Sequence, residues 1–312
     1  MRIGTRGSAL ALAQAEHVAD LLGTAADTEV EVVPIATSGD RGQLVGDKSR
    51  WVKELEAALL RGEVDIAVHS AKDVPAELPD GLELVAVPER VDPRDALCGA
   101  ASLDALPEGA RVGTSSLRRA AGLRALRPDL EVVALRGNVD TRLRKLAESD
   151  CAAIVLAVAG LLRLGRLDAM GTALDALVPA PGQGTLVLEA RADDATVRAM
   201  TATVEDPHAA ACLAAERALV RALGATCHTP LGAHATLAED GAMTLRTFLG
   251  LPDSSTWLRD ELTDPLGAAP ERLGEEVAQR MRASGADDLL AACEAAGANG
   301  VPPASTPEGT RL

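Results

Sequence analysis

Three predicted strand-to-helix junctions carry arginine beside hydroxyl or amide groups. They are Thr5-Arg6-Gly7-Ser8, Thr114-Ser115-Ser116-Leu117-Arg118-Arg119, and Leu135-Arg136-Gly137-Asn138 followed by Arg142. A helix N-terminus presents free backbone N–H groups, and the planar guanidinium group of arginine binds carboxylates through paired hydrogen bonds. The junctions therefore predict a ligand with several carboxylates or phosphates. Taken alone, the junction at Thr114 is just as typical of an ordinary helix cap followed by solvated arginines.

A carboxylate and a lysine follow the apolar run 64–68, in the segment His69-Ser70-Ala71-Lys72-Asp73-Val74-Pro75. At the end of a buried strand, the carboxylate of Asp73 can hold a cationic transition state or donate a proton. Local sequence alone also fits a surface Lys72–Asp73 pair that starts a turn before Pro75. The same local evidence favours a hydrogen-bonded structural role for His69.

The five cysteines are an odd number, lie far apart and contain no Cys-x-x-Cys pair. This pattern argues against a disulfide framework and a zinc site, so we predict free thiols and no bound metal. Cys227 lies in a loop between Gly224 and Gly232, whereas the other four lie in apolar runs. A free cysteine is commonly a small buried hydrophobe, and the residues alone leave that reading open for Cys227.

Short apolar strands alternate with helices through the first two thirds of the chain, which predicts βαβ units and mainly parallel sheets. Strands are predicted at 2–5, 29–36, 64–69, 111–114, 130–135 and 151–158, and helices at 8–22, 51–61, 116–126 and 138–148. The apolar run 185–189 is placed to pair back into the first sheet. Beyond Pro207 a long helix, 208–223, precedes strands at 233–237 and 243–249 and a helix near 269–281.

These elements predict three domains. The first comprises 1–90 and 184–204, the second 91–183, and the third, a smaller α+β domain, 205–296. The segment 297–312 is rich in proline and poor in apolar residues, which predicts a disordered tail.

Composition excludes several classes of protein. The chain of 312 residues has 31 Lys and Arg against 46 Asp and Glu, a formal charge of −15, which disfavours nucleic acid and anionic membranes. It has no apolar run long enough to span a membrane and no secretory signal at its first residues, so we expect a cytoplasmic location. No complete phosphate-binding loop occurs, since Asp47 interrupts the run Gly46-Asp47-Lys48-Ser49.

Taken together, the ordered motifs resemble the hydroxymethylbilane synthase (porphobilinogen deaminase) family over 3–249, and more loosely to about 292. Besides the three junctions, the matching segments are Val64-Asp65-Ile66-Ala67-Val68-His69-Ser70-Ala71-Lys72-Asp73-Val74-Pro75, Asp92-Pro93-Arg94-Asp95, Leu156-Ala157-Val158-Ala159-Gly160-Leu161 and Pro181-Gly182-Gln183-Gly184. The resemblance implies two domains like those of type II periplasmic binding proteins, plus a small third domain with a cofactor cysteine.

The resemblance implies an enzyme that joins four porphobilinogen molecules head to tail with release of ammonia, in haem biosynthesis. It implies a dipyrromethane cofactor on Cys227 and a catalytic carboxylate at Asp73, and we expect a monomer. Porphobilinogen would contact Arg6, Ser8 and Arg163. The cofactor would contact Ser70, Lys72, Thr114, Ser116, Arg118, Arg119, Arg136, Arg142 and Gln183.

The chain departs from the family pattern at three places. The glycine-rich loop before a phenylalanine is replaced by Val45-Gly46-Asp47-Lys48-Ser49-Arg50-Trp51, Asp140 lies near Arg142, and Thr226 precedes Cys227-His228 where glycine is usual. A β-branched Thr226 would be strained if the loop needed positive φ there. The alternative function is a noncatalytic polycarboxylate-binding protein on the same scaffold, but such a binder gains nothing from Asp73 in a cationic site.

Overall fold

The computed structural model describes residues 1–26, 28–37, 52–226, 229–297 and 308–311. The chain divides into two compact units. The first contains Met1–Val91 and Gly184–Ala211, and the second contains Asp92–Gln183 and Cys212–Leu312. The predicted division into three domains, with its boundaries at 90, 183 and 204, stays a prediction.

The first unit has a five-stranded sheet with helices on both faces. Its strands are β1 (Arg2–Arg6), β2 (Glu31–Ile35), β3 (Ile66–Ser70), β4 (Leu82–Ala86) and β10 (Leu186–Arg191), and its helices are α1 (Ala9–Ala26), α2 (Lys53–Leu60) and α6 (Ala195–Thr201). The strand order is β2-β1-β3-β10-β4. β10 is antiparallel to its two neighbours, so the other four strands share one direction.

The apolar residues of this sheet alternate between two packed layers. Ile66 and Val68 on β3 pack with Val18 and Leu22 of α1, whereas Ala67 packs with the helix on the opposite face. In a strand, alternate residues point to opposite faces, so the run 66–70 supplies both layers. Its last two side chains, His69 and Ser70, are thereby placed at the carboxyl end of the sheet.

The second unit contains a sheet of the same design. Its strands are β5 (Asp95–Cys98), β6 (Arg111–Gly113), β7 (Glu131–Val133), β8 (Ala153–Ala157) and β9 (Thr172–Leu174), with helices α3 (Leu117–Leu126), α4 (Val139–Glu148) and α5 (Val158–Arg163). The strand order is β7-β6-β8-β5-β9. β5 is antiparallel to β8 and β9, and β6 is parallel to β7 and β8.

A separate sheet in the second unit follows the long helix. The elements are α7 (Pro207–Leu223), β11 (Leu231–Leu237), β12 (Met243–Gly250), β13 (Thr256–Asp264), α8 (Pro270–Ala283), α9 (Ala286–Gly297) and β14 (Glu308–Arg311). β11, β12 and β13 form antiparallel pairs, and β14 adds a parallel edge strand. Its core uses Phe248, the single phenylalanine of the chain, stacked against Trp257 at 6.4 Å between ring centroids.

The predicted α/β class, with two such sheets and a small α+β part, is confirmed. The apolar run at 185–189 does pair back into the first sheet, as β10. The strands β4, β5, β9 and β13 were not predicted, and neither were the helices α5, α6 and α9. In the tail predicted to be disordered, Glu308–Arg311 pairs with β13, so these four residues depart from that prediction. In the described part of the chain no helix is long and apolar enough to cross a membrane.

Candidate active site

The first unit has a cavity at the carboxyl ends of β1 and β3, which we call the Asp73 cavity. Because β1 and β3 are parallel neighbours, the residues that follow them meet at one edge of the sheet. Its polar lining residues are Arg6, Ser8, Gln14, His69, Ser70 and Asp73. Four of the residues predicted from sequence, Arg6, Ser8, Ser70 and Asp73, are therefore brought together here.

Asp73 ends a 3₁₀ turn, Ala71–Asp73, that directly follows β3. The turn is fixed at its start, where the backbone N–H of Ala71 donates to the carbonyl of Thr185 at 3.0 Å. Among the described residues, no hydrogen bond or ion pair engages the half-buried carboxylate of Asp73. The carboxylate is available to a ligand in the cavity. Lys72 is half-buried in the same turn.

The serines of the cavity are held by local bonds. Ser8 caps α1, and its Oγ accepts from the backbone N–H of Ala11 at 3.4 Å. Gln14, on the next turn of α1, donates from Nε2 to Oγ of Ser70 at 2.9 Å and is 5% exposed. Gln14 was not predicted as a site residue. The sequence signal that could have identified Gln14 is its position as a polar residue on the inward-facing side of an otherwise apolar helix.

A second buried group lies beside the cavity, and we call it the histidine centre: His69, Glu189 and Glu56. Nε2 of His69 on β3 lies 2.9 Å from Oε2 of Glu189 on β10, and both side chains are almost fully buried. Burial raises the pKa of Glu56 to about 6, the carboxylate of Glu189 acts in the same direction, and His69 opposes them. None of the three was predicted to act in the site.

The second unit carries what we call the arginine centre: Asp95, Arg118, Arg119 and Gln183. The carboxylate of Asp95 accepts from Arg118 at 2.7 Å and from Arg119 at 2.9 Å. Nε2 of Gln183 donates to the same carboxylate at 2.9 Å. Burial alone would raise the pKa of Asp95, but the two guanidinium groups, with hydrogen bonds from Arg118 and Gln183, hold it well below its usual range.

The arginines of this centre also bind backbone carbonyl groups. Nη1 of Arg118 donates to Val178 at 2.7 Å, and Nη1 of Arg119 donates to Val155 at 3.0 Å. Both arginines are 6% exposed. Sequence reasoning assigned them to cofactor carboxylates, but here they bind Asp95, whose motif was noted without a role.

Thr114 and Ser116 build the start of α3 that presents these arginines. Oγ1 of Thr114 accepts from the backbone N–H of Ser116 at 3.2 Å, and Oγ of Ser116 accepts from the backbone N–H of Arg119 at 3.4 Å. Thr114 is buried and Ser116 is half-buried. Both hydroxyls therefore shape the helix start, as an N-cap does.

Arg142 on α4 adds a further cation near the arginine centre. Its Nε is buried and has no hydrogen-bond partner within the described ranges. Burial lowers the pKa of Arg142 to about 10, and the positive charge of Arg119 acts in the same direction. Asp140, which sequence placed as an unfavourable charge beside it, instead pairs with Arg166 at 2.5 Å.

Of the other two predicted arginines, Arg163 ends α5 and Arg136 lies in the connection between β7 and α4. Burial lowers the pKa of Arg163, at the end of α5, to about 10. Arg136 is exposed, and its carbonyl accepts from Nζ of Lys145 at 2.9 Å. Gly137 follows with φ 132°, where a Cβ would lie 2.6 Å from the methyl group of Thr141. Glycine is therefore required before the cap of α4.

Cys227 and His228 lie outside the described residues, as does the altered loop at 45–51. The residues that flank the cysteine are described. Oγ1 of Thr229 accepts from the backbone N–H of Thr226 at 2.9 Å, and the backbone N–H of Thr229 donates to the carbonyl of Thr226 at 3.1 Å. Among the described residues Ser254 is the non-glycine residue with positive φ, so Thr226 does not carry the strain considered above.

The second unit meets the chemical requirement for binding a polycarboxylate. Two buried guanidinium groups, those of Arg118 and Arg119, share the single carboxylate of Asp95, and the half-buried guanidinium group of Arg142 lies close enough to Arg119 to be repelled by it. A buried charge without a counterion is unfavourable, so this excess favours an anionic ligand. No group of three or more potential metal ligands occurs in the part of the chain that the structure describes.

Two family models cover most of the chain. "Porphobilinogen deaminase, dipyromethane cofactor binding domain" matches residues 1–199, and "Porphobilinogen deaminase, C-terminal domain" matches residues 210–283. A solved structure of the methionine binding protein MetQ is similar with a TM-score of 0.43 and 17% identity, over 67% of this chain and 91% of that one.

Curated relatives are similar over nearly their full length. Porphobilinogen deaminase of Xanthomonas oryzae is 48% identical over 304 residues, covering 94% of this chain and 99% of that protein. The enzyme of Thiobacillus denitrificans is 46% identical, covering 95% and 99%, and that of Brevibacillus brevis is 44% identical, covering 93% and 96%. The chain belongs to the porphobilinogen deaminase family.

Proposed function

We propose that this protein is a hydroxymethylbilane synthase. It joins four porphobilinogen molecules head to tail, releases one ammonia for each, and supplies the linear product to tetrapyrrole biosynthesis. Family membership supports the reaction class. Two features of the residues support the proposal. The carboxylate of Asp73 makes no hydrogen bond or ion pair within the described residues, and the second unit buries more guanidinium groups than carboxylates around its arginine centre.

The carboxylate of Asp73 stabilises the positive charge that develops as ammonia leaves the aminomethyl carbon. A carboxylate in a partly buried cavity interacts with such a charge more strongly than one in water, and it needs no reorganisation at the moment of reaction. Arg6 on the wall of the same cavity pairs with an acetate or propionate group of porphobilinogen. Arg163, in the second unit, stays a predicted substrate residue. Ser8 and Ser70 add hydroxyl groups that orient the substrate.

The residues of the second unit hold the carboxylates of a dipyrromethane cofactor, which serves as the primer to which rings are added. Arg142 has the buried, unpartnered Nε that fits this role best. Arg118 and Arg119 supply the positive potential, since Asp95 neutralises only one of their two charges. A charge-assisted hydrogen bond contributes about 1.5–3 kcal/mol, so several hold a growing polycarboxylate between steps.

Cys227 is the attachment point that we propose for the cofactor. It lies between Thr226 and Thr229, which bond to each other at the end of a loop. The other cysteines, Cys98, Cys151, Cys212 and Cys293, lie in or beside regular elements, and burial raises the pKa of Cys98 and Cys293 to about 11. A raised pKa disfavours the thiolate that forms a thioether, which argues against Cys98 and Cys293 as the attachment point.

We also propose three domains, one for each sheet, with the boundaries predicted from sequence. The net charge of −15 supports a protein without a nucleic-acid partner, and we propose a monomer in the cytoplasm.

One mass experiment tests the function. We expect intact mass and peptide mapping of the purified chain to find a two-pyrrole adduct on the peptide that contains Cys227, and the Cys227→Ser variant to lack both the adduct and activity. An adduct on another cysteine, or an active Cys227→Ser variant, overturns the assignment. A folded, unmodified and inactive wild type favours a noncatalytic polycarboxylate-binding protein.

The same experiment includes the Asp73→Asn variant, with the rate expressed per loaded molecule. Loss of the charge should lower that rate by roughly 10²–10³-fold, the scale of one preorganised electrostatic contact. The matched control is Asp65→Asn, because Asp65 precedes β3, pairs with Arg2 at 2.8 Å and lies outside the cavity. A comparable loss in the control, with Asp73→Asn near normal, contradicts the role of Asp73.

A further inference from the structure

The histidine centre has no part in the function proposed so far, although one of its residues, His69, lines the Asp73 cavity. His69 is 5% exposed and lines that cavity, while Glu189 is fully buried behind it. Oε1 of Glu189 is buried and has no hydrogen-bond partner in the described part of the chain. Burying a carboxylate is unfavourable unless a partner compensates it, and His69 is the partner that the fold supplies.

The geometry fixes which nitrogen of His69 is available. When the carboxylate of Glu189 is ionised, Nε2 of His69 carries the hydrogen in the 2.9 Å contact, because an ionised carboxylate accepts hydrogen bonds and donates none. Nδ1 then carries the lone pair. The arrangement is a carboxylate–imidazole pair in a cavity wall, in which the carboxylate fixes the tautomer and stabilises the imidazolium that forms on proton uptake.

Glu56 adds a second carboxylate to this centre. It lies on α2, is 7% exposed, and interacts electrostatically with both His69 and Glu189. Two carboxylates near one imidazole attract a positive charge on its ring, which is the charge that a base carries after it accepts a proton. The other charged groups on the cavity are Arg6 and Asp73.

The proposed reaction releases a proton that needs an acceptor. Each condensation breaks the bond between carbon and ammonia in one porphobilinogen and forms a carbon–carbon bond to the free α-carbon of the preceding ring. That α-carbon then loses its hydrogen as a proton, and the electron pair returns to the ring. The departed ammonia finally takes up the proton as ammonium, so no further reactant is required.

We propose that His69 is the general base that accepts this ring proton through Nδ1 and passes it to the departing ammonia, with Glu189 and Glu56 holding the imidazolium form. This inference rests on the proposed function. Two groups of the cavity then act in two different steps: the carboxylate of Asp73 stabilises the positive charge, and His69 accepts the proton. If the carboxylate accepted the proton itself, it would lose the negative charge that stabilises the cation.

The test is a primary kinetic isotope effect on the His69→Gln variant, with porphobilinogen deuterated at its free α-carbon. Loss of a general base should lower the rate per loaded molecule by roughly 10²–10⁴-fold and make ring deprotonation the slow step. The isotope effect on kcat should then exceed that of the wild type. A residue that only supports the fold would lower the rate without raising the isotope effect.

The control is His17→Gln, because His17 is an exposed histidine on α1 and undergoes the same chemical change. It should match the wild type in rate and isotope effect. Glu189→Gln is the second variant. It keeps the imidazole but removes the buried charge, so we expect an intermediate rate and an isotope effect between those of the wild type and His69→Gln.

Two measurements that do not depend on turnover accompany the kinetics: the mass of the adduct and the thermal unfolding midpoint of each variant. A loaded, folded His69→Gln variant with the wild-type isotope effect overturns the inference about His69 and leaves the proposed function intact. If His69→Gln does not fold, an unchanged isotope effect in Glu189→Gln overturns it equally. A wild type without adduct or activity contradicts the proposed function itself.

Discussion

The two α/β sheets share one design and differ in the charge that they bury. In each sheet, one antiparallel strand inserted beside a central parallel strand carries a fully buried carboxylate: Glu189 on β10 and Asp95 on β5. Glu189 faces one imidazole, that of His69. Asp95 faces two guanidinium groups and the amide of Gln183.

The partners decide what each buried carboxylate can do. Arginine keeps its charge at all physiological pH values, so the arginine centre has a permanent excess of positive charge that suits carboxylates. The carboxyl group of Glu56, whose pKa is raised by burial to about 6, changes its protonation state close to neutral pH. The second unit therefore buries permanently charged groups, whereas the first unit buries a carboxyl group that titrates near neutral pH.

The largest expected effect is on stability, from Asp95→Asn in the second unit. This change leaves the buried guanidinium groups of Arg118 and Arg119 without their counterion, and removing one partner of such a buried network costs about 3–5 kcal/mol. We expect the free energy of unfolding, measured by urea titration, to fall by this amount.

Two other variants serve as controls for the loss of stability in Asp95→Asn. Asp92→Asn removes a carboxylate from a partly exposed pair with Arg94 on the same segment, and should cost about 1 kcal/mol or less. Glu189→Gln in the first unit should cost less than Asp95→Asn, because His69 can adopt its neutral form and arginine cannot. Equal losses from Asp95→Asn and Glu189→Gln would show that the two centres do not differ in this way.

A smaller effect, on binding, is expected from Arg142→Gln. Without its charge, the repulsion by Arg119 and the unfavourable burial are removed, so the thermal midpoint of the unloaded chain should stay level or rise. The lost charge-assisted contact, about 1.5–3 kcal/mol, should weaken the hold on a carboxylate by roughly 10–100-fold. The fraction of molecules with adduct, measured by mass, and KM for porphobilinogen report this change.

Arg144→Gln on the same helix is the matched variant, since Arg144 is exposed and lies 3.9 Å from Glu148. It should leave loading and KM unchanged. If Arg142→Gln destabilises the unloaded chain instead, the guanidinium group has a structural partner, and the reading of Arg142 as a site for an anion is wrong.

Much of this organisation could be predicted from sequence. Alternating apolar runs and helices predicted the two sheets, and the run at 185–189 predicted the return of β10 to the first. Arg6 and Ser70 end two neighbouring parallel strands, and Ser8 and Asp73 follow those strands, so their meeting at one sheet edge could be predicted from the topology. Their catalytic and binding roles stay predictions.

The buried carboxylates could not be predicted, because nothing local marks them. Asp95 begins a strand of four residues after a proline, and its partners lie 23 and 24 residues away in sequence. Glu189 interrupts an apolar strand and lies 120 residues from His69. Pairing over such distances depends on strand order. For the same reason, Arg118 and Arg119 were predicted to face a ligand, whereas the structure places them on Asp95.

The smallest expected effect is a change in the pH dependence of the free energy of unfolding in the Glu56→Gln variant, which concerns only the histidine centre. The folded chain binds a proton on Glu56 more tightly than the unfolded chain does, because burial raises the pKa from an ordinary 4.5 to about 6. The contribution of Glu56 to the free energy of unfolding is therefore greatest at low pH, falls as the pH rises through this window, and stays low above it. The free energy of unfolding of the glutamine variant should match that of the wild type near pH 4 and exceed it by about 1–2 kcal/mol above pH 7.

Urea titrations across this pH range measure the difference. The control is Glu16→Gln, at an exposed position on α1, which should show no such difference. A difference that is independent of pH would mean that Glu56 acts through packing alone, and the first unit would then lack the proton-exchanging carboxylate that distinguishes it from the second.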